Sequence, residues 1–430
     1  MINQKMNNIA DVNGKFVFAR PSNAYNSDGK LVIPHNARYE PASVGLGNGI
    51  MFEESTTNLL SNVPLTAVSA SNSTIVYDAN ERMWTITRTS GTDITIVMAF
   101  NFFQQLNKTY TTSYEIWADV DDPTNVVDWN DNIYLNGSPD TANIPQNDTW
   151  RKSVTIKNNF TKANQWVRYE KTVTTRAVGE SFATNYANTT FTPVLAGHTA
   201  LSSDNSTIAG ASLIKIRNLQ IEERTHPTTY TPTTRSAEYL AVSTSGLFGA
   251  TEGTVELTFI PNYNQDDTQR TASMRYIMED SNQAIRFVFW NGNVNNTLTV
   301  DFNNSDNSRN NMDFFDYGLQ TIKKGVPLKM SMTWSGSTIN GFLNGSKFSK
   351  TATGVLKSIG TVIYLGCANN QLYQGNGIIT DVRFSNIFRT DTELIANGTS
   401  TIPLPYDANT TLKLDFNEPD VQRISRQIIL

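Results

Sequence analysis

The residues best suited to chemistry in this sequence are acids and aromatics crowded into one stretch. Asp119, Asp121, Asp122 and Asp128, with Asp131 close by, supply hard carboxylate oxygens of the kind Ca²⁺ prefers, and Trp129, Tyr134 and Trp150 stand among or just beyond them. An indole or phenol ring packs on the apolar face of a pyranose while Asn, Asp and Arg bind its hydroxyls. The stretch therefore predicts a saccharide site with a structural calcium as its possible companion. Trp290 followed by Asn291, and Tyr373 between Gln371 and Gly375, offer the same combination farther on. Asp301, Asn303, Asn304 and Asp306 form a second acidic group, and neither group carries the glycine and terminal Glu of a helix-loop-helix calcium loop. The plainer alternative for each aromatic is a core or lid position, and for the acids a solvated loop. Trp117 and Trp166 sit in strictly alternating stretches, where a core position is the stronger expectation.

Catalytic arrangements are sparse. His35, His198 and His226 are far apart in Pro, Gly and Thr-rich surroundings, with no His-Glu-x-x-His spacing and no Gly-x-Ser-x-Gly elbow. Glycoside hydrolysis needs two carboxylates facing each other across a cleft. The adjacent pairs Glu53-Glu54 and Glu222-Glu223 do not provide that, because neighbouring side chains on a strand point to opposite faces. The expectation is one Glu toward solvent and one accepting hydrogen bonds at a domain junction, in a protein that binds and is not an enzyme. Cys367, the sole cysteine, excludes an internal disulfide and reads as a small buried hydrophobe.

The elements that must position these residues are strands. Of 430 residues only 17% are charged, and Asn, Thr and Ser abound, a composition suited to strands and polar turns. A net charge of -5 without a basic stripe argues against nucleic acid, and no apolar run is long enough for membrane insertion. The N-terminus lacks a basic region followed by an apolar run, so no signal peptide is expected and synthesis is placed in the cytoplasm.

Residues 1–60 read as an extended leader of short strands with too little apolar content to fold alone. Residues 61–232 alternate apolar and polar, as in Met83–Arg88, Tyr110–Ala118 and Trp166–Val173, which predicts half-buried antiparallel strands. Pro227 and Pro232 cannot donate to a ladder, so 227–235 reads as a stiff linker. A second sandwich spans 236–417, with turns at Asn291-Gly292 and Asn344-Gly345 and one short helix. Thr390 to Glu393 forms that helix's capping box, and Asn397-Gly398 its left-handed stop. Residues 418–430 are a tail with Val421, Ile424, Ile428, Ile429 and Leu430 suited to a subunit contact. The fold class is all-β: two tandem antiparallel β-sandwiches of jelly-roll type, with a short extended N-terminal segment and one short helix.

Several phrases resemble known families. The order Tyr110-x-x-Ser113, Trp166-x-x-Tyr169-x-x-Thr172, Leu219-Gln220-Ile221-Glu222 and the Pro227 to Pro232 exit resembles carbohydrate-binding modules of the galactose-binding-like type. Leu328–Trp334, Ile339–Lys347 and Ile378–Leu394 resemble laminin-G-like, concanavalin-A-like domains. Gly49–Leu60 is similar to a junction of tailed-bacteriophage virion proteins. Together these imply a virion surface protein, from tail fibre, baseplate or head decoration, that binds host cell-surface polysaccharide. Its implied partners are other virion proteins and copies of itself, with trimers common among such appendages, although no heptad run or β-helix repeat encodes three-fold symmetry. The competing readings are a polysaccharide-degrading enzyme or its accessory module, and a structural virion component making only protein contacts.

Overall fold

The computed structural model describes residues 16–20, 22, 24–25, 31–32, 39–41, 48–59, 68–71, 73–79, 81–91, 94–101, 109–120, 126–134, 151–157, 163–174, 194–201, 211–224, 227–231, 234–264, 274–290, 297–313, 322–351 and 354–416. The apolar tail at 418–430, Trp150 and the Asn291-Gly292 turn lie outside them. Nearly all regular structure is antiparallel strand, with one helix, Asp391–Thr399, among the described residues. No helix among them is long and apolar enough to cross a membrane.

The chain divides into two compact units, and their connectivity differs from a simple tandem. One unit takes residues 1–56 together with 235–430, and the other is residues 57–234, inserted between those two parts. The leader is thus part of the second sandwich. Phe16–Ala19 pairs with Tyr239–Ser243 at the edge of a seven-stranded sheet, and Asn48–Phe52 pairs with the first residues of Gly377–Ser385 in an eight-stranded one. Gly377–Ser385 is the strand that closes the sandwich: it lies between Glu252–Pro261 on one side and, end to end on the other, Asn48–Phe52 and Thr410–Asp415.

Phe18, Ile50 and Phe52 from the leader are buried in the same core as Val255, Leu257, Phe287, Val382 and Phe384. Each such side chain removed from water contributes roughly 1.5–3 kcal/mol. Phe52 also explains a turn. Gly366 has φ of +83°, and a Cβ there would stand 2.4 Å from the Phe52 ring, so only glycine fits.

Between the leader and residues 235–238 lies a sealed group of charges. Arg235 pairs with Glu53 and Arg20 with Glu238, both at 3.0 Å, and all four side chains are fully buried. The backbone N–H groups of Glu53 and Glu238 donate to the Glu238 carboxylate and the Glu53 carbonyl respectively. The neighbouring Glu54 meets Asn376 through two hydrogen bonds and is one-third exposed. The expectation of one buried and one solvent-facing Glu is met in part here, since Glu54 also contacts Arg275 at 3.7 Å. It is met fully at Glu222, which is buried, and Glu223, which is exposed.

The Asn344-Gly345 hairpin turn has both residues at positive φ, as such a turn requires. The capping box at Thr390 and Glu393 forms as expected. The stop does not. Gly398 lies inside the helix, which ends at an extended Ser400, and a Cβ on Gly398 would meet the Gly345 backbone at 2.2 Å. Its glycine therefore serves close packing of helix on hairpin. Just before the helix, the buried Arg389 binds both oxygens of Asp407, at 2.7 and 2.6 Å. That guanidinium holds the Asp407 carboxyl far below the usual carboxylate range.

Two predictions follow from this arrangement. A chain with 57–234 replaced by a short Gly/Ser linker is expected to unfold cooperatively, whereas residues 235–430 alone, lacking Phe18, Ile50 and Phe52, are not. Urea unfolding followed by Trp fluorescence separates the two. A carboxyl whose folded pKa is depressed contributes stability above its unfolded pKa of about 3.9 and loses it as pH falls below that. Asp407→Asn should therefore lower the urea midpoint at pH 6, with the gap to the parent narrowing at pH 3.

Candidate functional site

The inserted unit contains two five-stranded antiparallel sheets. The second runs Trp166–Thr174, Thr109–Ala118, Leu213–Glu222, Met83–Arg88, Ser73–Asp78. One side of it is apolar and closed to solvent: Tyr114, Ile116, Ala118, Ile214, Ile216, Trp84 and Ile86 are each at most 2% exposed. Strand alternation then sends Thr111, Ser113, Glu115 and Trp117 to the opposite side.

Register assembles that opposite side. Trp166 stands across from Trp117, Arg168 from Glu115 and Glu170 from Ser113 on one flank. On the other flank Lys215 stands across from Trp117 and Arg217 from Glu115, with Thr85 beyond Lys215. A bulge between Ser113 and Glu115, where Asn218 takes φ of 56°, shifts the phase of Leu213–Glu222 so that Gln220 and Glu222 join the same side.

This face has two halves. The first is covered by the exit segment. The Thr228 N–H and hydroxyl donate to Glu222 at 2.9 and 2.6 Å, the Thr231 N–H donates to the Gln220 side-chain Oε1 at 2.7 Å, and Arg168 donates to the Thr228 backbone carbonyl at 2.7 Å. Residues 228–231 are buried. The expected stiff linker is thus, over 228–231, a strap on the inserted unit itself, because its Thr hydroxyl and backbone satisfy polar side chains of the sheet.

The second half is not covered by the exit segment and carries the aromatics. Trp117 and Trp166 are both partly exposed. The Arg217 guanidinium lies 4.1 Å from the Trp166 ring centroid while its Nε donates to Glu115 at 2.6 Å. The Lys215 ammonium lies 4.9 Å from the Trp117 centroid. Cation–ring contacts of this kind are worth about 0.5–1 kcal/mol at exposed sites and fix the side chains in place. The result is a pair of indoles on a rigid ladder, ringed by donors. The core expectation for Trp117 and Trp166 is therefore corrected. Their strand neighbours on the same face are Thr111, Ser113, Glu115, Arg168 and Glu170, a polar set that cannot line a core, and that signal was present in the sequence.

The residues singled out from sequence are scattered. Trp129 and Tyr134 belong to a strand, Val126–Tyr134, paired on both sides in the other sheet of the inserted unit, and not to a solvated loop. Asp128 is on that strand too, whereas Asp119 directly follows Thr109–Ala118 of the second sheet. Both Asp119 oxygens accept from the Ser212 N–H at 3.1 Å, and the Ser212 hydroxyl also donates to it. Burial works against its charge, but these bonds hold its carboxyl below the ordinary range. Asp121, Asp122 and Trp150 lie outside the described residues, and among those described no group of acids, His or Cys could hold a metal ion.

In the other unit, the Asp301 group is not a calcium site. Arg286 and Arg309 reach the same Asp301 oxygen, the former at 2.8 Å, and Arg286 also donates to the Asn303 side-chain Oδ1 at 3.1 Å. Two guanidinium charges on one carboxylate repel a divalent cation. Trp290 ends the strand Ile285–Trp290; its side chain and Asn291 lie outside the described residues. Tyr373 is 44% exposed beside the exposed Leu372, on a loop where Gln371, Tyr373 and Asn376 all take left-handed φ. The loop is pinned by the Tyr276 N–H to the Tyr373 carbonyl and by Gly375 N–H to the Gly366 carbonyl, each at 2.8 Å. Backbone strain held this firmly is found at binding loops, but Tyr373 is a single ring without a second aromatic exposed beside it among the described residues. Cys367 is buried, and burial pushes its thiol pKa up, which leaves it unreactive.

No family model matches the chain, and no curated protein matches it. Solved structures do. The receptor-binding domain of botulinum neurotoxin mosaic serotype C/D aligns at 13% identity over 36% of this chain and 38% of that one, with a TM-score of 0.28. Domain 4 of AbnA, a GH43 extracellular arabinanase from Geobacillus stearothermophilus, in complex with arabinotriose, aligns at 13% identity over 38% of this chain and 73% of that one, with a TM-score of 0.29. The binding domain of Paraclostridial Mosquitocidal Protein 1 aligns at 12% identity over 37% of this chain and 40% of that one, with a TM-score of 0.28. The chain spans about two fifths of the length of the toxin domains it matches.

Proposed function

We propose that this chain is a non-enzymatic polysaccharide-binding protein, and that the half of the face carrying Trp117 and Trp166 is where a sugar chain lies. The observation that carries this reading is the cross-strand indole pair, partly exposed on a ladder whose other face is closed core. Two large rigid rings at a fixed strand spacing present successive apolar surfaces to a repeating pyranose chain at little entropic cost. Glu115, Arg168, Lys215 and Arg217 around them supply hydroxyl partners.

The carboxylates on the face favour binding over hydrolysis. Glu115 is paired with Arg217 and Glu170 with Arg168, at 2.6 and 3.5 Å. A hydrolase needs two carboxyl groups facing each other across a cleft, one as acid and the other as base or nucleophile, whereas both of these are tied to guanidinium groups on the same ladder. The setting is the one implied by the sequence resemblance, the surface of a tailed-bacteriophage particle facing host-envelope polysaccharide. There many copies acting together raise avidity by about 10² to 10⁴ over a single weak site.

Affinity electrophoresis of the full chain against a panel of bacterial envelope polysaccharides tests this. Trp117→Ala and Trp166→Ala are each expected to weaken binding about tenfold or more, equivalent to ~1.4 kcal/mol, with an unchanged urea midpoint. Retention of full affinity in both variants would sink the site, and new reducing ends after incubation would make the protein an enzyme.

A further inference from the structure

We infer that Lys215 makes the Trp117 and Trp166 face selective for polysaccharide containing uronic acid. The inference rests on the saccharide-binding reading above and adds the chemical class of the sugar. Charges on the face nearly cancel in pairs: Glu115 with Arg217, and Glu170 with Arg168. Lys215 is left over. Among the described residues no carboxylate forms an ion pair with it, and its ammonium instead rests over the Trp117 ring.

That position sets a condition on any ligand. A pyranose stacking on the same side of Trp117 must first move the ammonium off the indole. A neutral sugar displaces it and returns only hydroxyl contacts. A uronate carries its carboxylate one bond from the ring carbon C5, at the rim of the sugar that does the stacking. The ammonium can therefore leave the indole and form a charge-assisted hydrogen bond within the same sugar residue, and such bonds are roughly twice as strong as neutral ones. A phosphodiester lies between sugars, away from the stacked ring, and fits the geometry less well. Arg217 cannot take this role while it is committed to Glu115 and Trp166. Lys215 thus both guards the stacking ring and rewards an acidic sugar, so it discriminates by penalising the wrong ligand as well as by binding the right one.

The test uses the full chain and a panel of envelope polysaccharides that includes uronate-containing members, each beside its carboxyl-reduced form, together with phosphate-bearing members beside their dephosphorylated forms. Binding is expected to uronate-containing members, about tenfold weaker after carboxyl reduction and weakened further by raising salt from about 0.05 to 0.5 M, as an exposed ion pair requires. Lys215→Met should bring the acidic-to-reduced affinity ratio close to one, whereas Trp166→Ala should lower both affinities together. Equal binding of native and carboxyl-reduced forms overturns the inference and leaves polysaccharide binding intact. So does a parallel loss for both forms in Lys215→Met, or dependence on phosphate in place of carboxylate. No binding to any member overturns both.

Discussion

The sandwich built from residues 1–56 and 235–430 depends on one non-local ladder, the pairing of Ile50, Met51 and Phe52 with Ile379, Ile378 and Gly377. Those residues are separated by more than three hundred positions, so the ladder forms only after a large loop has closed. What makes closure favourable is local and dense: Ile50 and Phe52 enter the core, Gly366 leaves room for the Phe52 ring, and Glu53 and Glu238 meet Arg235 and Arg20 in full burial. Buried ion pairs are costly to desolvate and tolerate no missing partner. Here each carboxylate also accepts a hydrogen bond, which offsets that cost and fixes the register of the two segments on either side of the insert.

The inserted unit solves a different problem. A sheet with one face in a core must do something with its other face. Half of that face is satisfied by the chain's own exit, through Thr228 and Thr231 on Glu222 and Gln220. The other half carries cations resting on indoles in place of the exit segment. The boundary between halves falls at the Ser113 to Glu115 bulge, where the strand phase changes. The same irregularity that completes the strap therefore also delimits the aromatic half.

Much of this was legible in the sequence, because the signals were local. Alternation marked the strands at 83–88, 109–118 and 166–174, the Asn344-Gly345 pair marked its hairpin, and Thr390 with Glu393 marked the helix start. Two things were not. The leader's membership in the second sandwich is written in pairings between distant segments, which no local pattern announces. The face of Trp117 was written locally but overridden by residue type: a Trp invites burial, yet its period-two companions Thr111, Ser113 and Glu115 are polar while Tyr114, Ile116 and Ala118 share the other phase. Companions decide a face better than the largest residue on it. The strand at 126–134 was hidden for the opposite reason, since its Asn and Asp residues obscure the apolar positions.

The insertion has a consequence for the integrity of the protein in harsh surroundings. The inserted unit is joined to its host at two places, between residues 56 and 57 and between 234 and 235, and at the second of these Arg235 is locked to Glu53. A protease that nicks one crossing leaves the unit covalently held by the other, and the severed leader still seated in two sheets of its host. A module hung from a single linker is shed by one cut. This one needs two, so its attachment is redundant by topology alone.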